Sequence, residues 1–109
     1  MATRPVRITV VGAGRCDKAT ASLAERVGGE IARRGGVLVC GGLGGVMEAA
    51  ARGAVAAGGT TVGVLPGTSA DDANSSIAIP IPTGMGEARN VITVRAGDAV
   101  ICIGGGHGT

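Results

Sequence analysis

The sequence predicts an α/β fold, a parallel sheet with helices on both faces. Short β-branched apolar runs alternate with longer stretches of helical periodicity. Glycines punctuate the junctions between them, which reads as a chain divided into elements rather than as low complexity. Each stretch linking two strands is long enough for a right-handed parallel crossover.

"VRITVVGAG" supplies the first strand, Val6–Val11. A helix is predicted over about Lys18–Arg34, with Asp17 as N-cap, Gly35-Gly36 as stop and Leu23, Val27 and Ile31 facing inward. Gly28 and Gly29 inside that helix each cost about 1 kcal/mol relative to alanine, and close packing of helix on sheet is the expected compensation. The second strand is Val37–Cys40. "VMEAAARGAVAA" is the second helix, with Val46, Ala50, Gly53, Ala54 and Ala57 inward and Gly58-Gly59 closing it. "TTVGVLP" is a third strand that Pro66 ends.

"GTSADDANSS" (Gly67–Ser76) is polar and reads as a mobile or ligand-covering loop. "IAIPIP" alternates, but Pro80 and Pro82 exclude a central strand. In "GEARNVITVRAGD" the wider pattern favours a helix burying Ala88, Val91, Ile92 and Ala96 over a strand at "VITV". "AVICIGG" (Ala99–Gly105) is the fourth strand. The 109 residues make one domain by size, a Rossmann-like unit of strand order 3-2-1-4. A glycine loop after a strand should open onto a helix, and none follows "GGGHGT". The fold is therefore expected to be truncated at its C-terminus, with a sheet edge left uncovered.

Composition bounds the function. With no Phe, Tyr or Trp there is no base-stacking platform, and the formal charge of +2 is spread along the chain, so no nucleic-acid partner is expected. Cys16, Cys40 and Cys102 are odd in number and lack metal spacing, which suits reduced thiols in a cytoplasmic protein. Packing is the expected role of Cys40 and Cys102, and Cys16 is expected to be the most exposed. Every apolar run stops well short of the roughly 18 residues a membrane span needs.

Three predicted strands end in glycine loops, Gly12–Asp17, Gly41–Gly45 and Gly104–Thr109. At the carboxyl edge of a parallel sheet, backbone N–H groups and a helix N-terminus bind phosphate without a cationic side chain. Any one loop is equally well read as a turn; three at one edge favour a cradle. The candidate ligand-binding residues are Gly12, Gly14, Arg15, Gly41, Gly42, Gly44, Gly45, Arg89, Gly104, Gly105, Gly106, Gly108 and Thr109. Arg89 suits a bidentate anion, the alternative being an ion pair with Glu87 or Asp98. Arg15 is equally a solvated loop charge. Glu48 complements the positive end of the second helix, and His107, the sole histidine, is read as a variable loop residue. No P-loop lysine, third glycine of GxGxxG or acid after the second strand is present, which disfavours P-loop nucleotide hydrolysis and NAD binding. No metal constellation or nucleophilic triad is found.

"GGLGGVMEAAARGAVAAGGTTVGVLPG" followed by "GEARNVITVRAGDAVICIGGGHGT" resembles the LOG-type group of Rossmann-like proteins, closest to the molybdenum cofactor carrier branch. The resemblance runs from the first strand to Thr109. It implies a carrier or binding protein for a phosphorylated small molecule, the molybdenum cofactor or a nucleotide, and a homo-oligomer. In hydrolytic members an arginine matching Arg89 and a glutamate after GGxGT act on nucleoside 5′-monophosphates. That glutamate would fall three residues beyond Thr109, so phosphoribohydrolase activity is the alternative only for a full-length form.

Overall fold

A computed structural model describes residues 4–104. Strands β1 (Arg7–Gly12), β2 (Val37–Cys40), β3 (Thr60–Leu65), β4 (Ile79–Pro82) and β5 (Ala99–Ile103) pair in parallel in the order β4-β3-β2-β1-β5. Helices α1 (Lys18–Arg33) and α2 (Val46–Ala56) cover one face. Helix α3 (Arg89–Ala96) lies on the other, because Thr93 meets Thr9 while the next residue of β1, Val10, belongs to the core under α1 and α2. No helix of the described residues is long and apolar enough to cross a membrane.

The α1 and α2 signals act as their chemistry requires. The Asp17 carboxylate accepts from the Thr20 N–H at 2.8 Å, satisfying a first-turn donor. At the other end Gly35 has φ +79° and the Gly36 N–H reaches the Ile31 carbonyl at 2.9 Å, a Schellman closure. Helix α2 ends the same way through Gly58 and Gly59.

The glycines inside α1 have a different use from the expected one. Gly28 packs on the backbone of Ala50, and Gly53 of α2 packs on the backbone of Glu25. A Cβ at either position would overlap a carbonyl oxygen of the opposite helix. The compensation for Gly28 is thus helix-on-helix contact, not helix on sheet, while a Cβ on Gly29 would meet the Arg33 side chain of the same helix. The buried residues of α1 are Ala24, Gly28, Gly29 and Ile31, with Val27 packed against the core as expected, while Leu23 is 46% exposed.

Two further elements depart from expectation. In α3 the buried residues are Arg89 and Thr93, and Val91, Ile92 and Ala88 face outward. The reason is polar: Thr9 Oγ1 donates to the Thr93 carbonyl at 2.8 Å, and Thr93 Oγ1 donates to the Arg89 carbonyl at 3.0 Å. "IPIP" is an added strand, β4, at the sheet edge, where proline is tolerated. The Thr83 N–H bonds the Leu65 carbonyl at 3.1 Å, so by alternation Pro80 and Pro82 face away from β3. That outer edge lacks two N–H donors for a further strand.

Gly28→Ala or Gly53→Ala should each lower stability by about 1–3 kcal/mol through overpacking, measured by urea melts. Gly14→Ala, where a Cβ meets nothing within 4 Å, is the neutral comparison.

Asp98 ties the start of β5 to β1: Oδ2 accepts from the Arg7 N–H at 2.9 Å, and the Asp98 N–H donates to the Arg7 carbonyl at 2.7 Å. The Arg7 N–H holds the Asp98 carboxyl below its ordinary range, as the Thr20 N–H does for Asp17. A depressed carboxyl stabilises the fold above its unfolded pKa and loses that contribution as pH falls through its folded value. Asp98→Asn should therefore lower the melting temperature at pH 7 and make little difference at pH 2, read by circular dichroism.

Candidate functional site

The glycine loops after β1 and β2 meet backbone to backbone. The Val46 N–H, first in α2, donates to the Ala13 carbonyl at 3.0 Å. Gly45 has φ +64° and lies against Ala13 and Gly14, where a side chain would collide with both peptide units. A Cβ on Gly12 would fall 2.6 Å from Val46 Cγ1, and one on Gly44 would fall 3.4 Å from the Gly14 carbonyl. Gly104 joins them because β5 pairs with β1 up to Gly12 opposite Ile103. Gly14, Arg15 and Gly104 are exposed, and Gly41 and Gly42 are buried. Gly105, Gly106, His107, Gly108 and Thr109 lie outside the described residues.

The carbonyls of the second loop are taken by side chains from remote elements. Arg89 Nη1 donates to both the Gly41 and Val64 carbonyls at 2.6 Å. Asn74 donates its backbone N–H to the Gly42 carbonyl at 2.9 Å, and its amide Nδ2 reaches the Gly42 and Leu43 carbonyls at 3.3 and 2.8 Å. The Cys40 thiol donates to the Met47 carbonyl at 3.9 Å. Burial pushes that thiol up to about 11, against the opposing pull of the Gly42 N–H and of Arg89. Among the described residues, the N–H groups of Leu43, Gly44 and Gly45 have no acceptor. They precede the first turn of α2, whose N-cap, Gly45, has no side chain to offer. The local field is that of N–H dipoles and a helix N-terminus.

Arg89 is 6% exposed, and its Nε is buried without a partner among the described residues. It pairs with neither Glu87 nor Asp98: Glu87 accepts from Asn90, and Asp98 pairs with Arg7. Arg15, Gly14, Gly45, Glu48 and Arg52 line an open depression of about 450 Å³ beside the two loops. Arg52 is held there by Glu25 at 3.3 Å, and the Glu48 carboxylate is exposed. A larger cavity of about 620 Å³ lies between α1 and the β5 edge, lined by Val6, Leu23, Val27, Ile31 and Ile101. Arg26, Glu30, Arg33 and Arg34 also line it, and Arg33 and Arg34 are engaged by Glu30, so the site is placed at the loops, where backbone N–H groups gather.

The cysteines reverse one expectation. Cys102 is exposed, because β5 is an edge strand of the described sheet and α3 does not cover it, whereas Cys16 is half-buried against the core. Asn74 was missed by sequence reasoning. Its one local signal is the Asn-Ser-Ser spacing, which forms an Asx turn with Oδ1 accepting from the Ser76 N–H at 2.9 Å.

The model of the SLOG cluster 4 family matches residues 5–109. The chain belongs to that family. It is 53% identical over 104 residues to an uncharacterised protein of Archaeoglobus fulgidus, covering 95% of this chain and 68% of that one. Among solved structures it is similar to the molybdenum cofactor binding protein of the phototrophic bacterium Rippkaea orientalis, with TM-score 0.92, 39% identity and coverage of 96% and 66%. It is also similar to the molybdenum cofactor carrier protein of Chlamydomonas reinhardtii, with TM-score 0.88, 39% identity and coverage of 96% and 66%. The chain thus spans about two thirds of the length of these relatives. The SLOG family assignment agrees with the sequence resemblance, and the five-stranded parallel sheet with the Rossmann-like expectation.

Arg89→Met should destabilise the protein by about 1–3 kcal/mol for each of the two carbonyls it orphans, measured by chemical denaturation. Iodoacetamide applied to the native protein should modify Cys102 first and leave Cys40 intact, read by peptide mass spectrometry.

Proposed function

We propose that this chain binds a phosphorylated small molecule at the loops after β1, β2 and β5, in the manner of a carrier. One observation carries the reading: the carbonyls of Gly41, Gly42 and Leu43 are bonded by Arg89 and Asn74, while the N–H groups of Leu43, Gly44 and Gly45 have no acceptor among the described residues. A loop so arranged favours anionic oxygen and disfavours a cation. Two relatives described as binding or carrying the molybdenum cofactor support that cofactor, a pterin bearing a phosphate, as the ligand, with a nucleotide as the competing choice. The residues proposed to contact it are Gly12, Gly14, Arg15, Gly41, Gly42, Gly44, Gly45 and Gly104, together with Gly105, Gly106, Gly108 and Thr109. Arg89 acts from beneath, its Nη1 engaged by protein carbonyls and its buried Nε without a partner among the described residues. We further propose that the protein works in the cytoplasm as a homo-oligomer.

Titration calorimetry of the full chain against AMP, GMP and a molybdopterin-type ligand tests the proposal. Saturable binding of at least one is expected, and folded protein that binds none overturns it. Gly14→Asp, placed where a side chain has open space, should weaken binding at least about tenfold by repulsion, while Gly14→Asn should not. Release of free base from AMP in the same mixtures would instead favour a hydrolytic role.

A further inference from the structure

The binding reading leaves open what holds a pentapeptide with four glycines, Gly41–Gly45, in one conformation. Resting on that reading, we propose that Asn74 is the positioning residue of the cradle and that the segment after β3 is its brace. The bonds form an unbroken path. Buried Thr61 of β3 donates Oγ1 to the Ser76 carbonyl at 2.6 Å and accepts the Ala78 N–H at 2.8 Å. Ser76 N–H fixes Asn74 Oδ1 at 2.9 Å, and the Ile77 N–H bonds the Asn74 carbonyl at 3.1 Å. Asn74 then delivers its backbone N–H and Nδ2 to Gly42 and Leu43. Ile77 packs against Gly63 on the same path: a Cβ on Gly63 would lie 3.0 Å from Ile77 Cγ2 and 2.9 Å from Gly42 Cα.

The chemistry asks for a carboxamide at this position. The side chain must donate to two carbonyls with one end and accept a backbone N–H with the other. A carboxylate of the same shape would face two carbonyl oxygens with no donor, and an alanine would keep the backbone N–H bond to Gly42 but lose both amide bonds and the Ser76 anchor. By occupying the carbonyls, Asn74 turns the following N–H groups to the open side. It touches no ligand in this role. The loop over Gly67–Ser76, read from sequence as mobile or covering, is a strut.

The test needs no ligand in its first arm. Backbone ¹⁵N relaxation on the full chain should give order parameters near 0.85 for Gly42–Gly45 in the wild type and below about 0.6 in Asn74→Ala, with β1 and α1 unchanged. Thr61→Val should move the same residues in the same direction by a smaller amount. Unchanged order parameters in both variants, or an equal loss across the whole sheet, overturn the proposal. In the second arm, affinity for AMP as probe should fall about tenfold in Asn74→Ala, and an equal affinity also overturns it. A wild type that binds no AMP defeats the binding reading for that probe, while the relaxation arm still decides the role of Asn74.

Discussion

Strand β2 ends before its neighbour does. Its register with β3 stops at Cys40 opposite Gly63, and β3 runs on to Leu65, so the Val64 carbonyl has no ladder partner. A buried carbonyl left unpaired costs about 1–3 kcal/mol, and the turn at Gly41 adds a second one at the same place. Nη1 of Arg89 satisfies both. Much follows from that one nitrogen. Gly41 must lack a side chain, since a Cβ would lie 2.6 Å from it. Helix α3 must turn Arg89, and with it Thr93 one turn on, toward the sheet, which sends Val91 and Ile92 outward. The amphipathic pattern of α3 is inverted by a hydrogen-bonding demand that originates on another strand.

The other face is governed by size rather than polarity. Without aromatic residues, burial has to come from close approach of small groups, and α1 and α2 touch through Gly28 and Gly53. Backbone-to-backbone contact fixes α2 along and about its own axis, since neither glycine surface permits sliding past a carbonyl. The N-terminus of α2 is then held where Gly45 meets Ala13 and Gly14. Core packing and the geometry of the loops are therefore one problem, solved by the same helix.

What the sequence made legible, and what it hid, follows this division. Strands β1, β2, β3 and β5 and both long helices were readable, because apolar periodicity and glycine stops are local properties. The face of α3 was not, and that of α1 only in part, since Val27 and Ile31 turn inward and Leu23 does not. Leu23 lies in the open because a glycine ridge, not the larger side chains, meets α2, and periodicity weighs a glycine as nothing. Arg89 and Thr93 are buried by partners 25 to 84 residues away, which no local pattern encodes. "IPIP" was ambiguous because proline forbids only one side of a ladder, and which side faces outward depends on topology. The glycine loops announced themselves, whereas Asn74 did not: its importance lies in carbonyls 31 and 32 residues upstream.

The proposed cradle contrasts with a site built on exposed arginines. Its donors are fixed peptide dipoles, oriented before any ligand arrives, so little reorganisation or side-chain ordering accompanies binding. Exposed charges such as Arg15 act through solvent and are screened over about 8 Å at physiological salt. Glu48 adds a constraint of the opposite sign. Its exposed carboxylate stands on the first turn of α2, where the helix end favours it, and it competes there with any ligand anion. A bare phosphate would meet that repulsion beside Arg15 and Arg52, which line the same depression. On the proposed reading, a phosphate carried on a body with N–H or O–H donors would place the anion on Leu43–Gly45 and a donor toward Glu48.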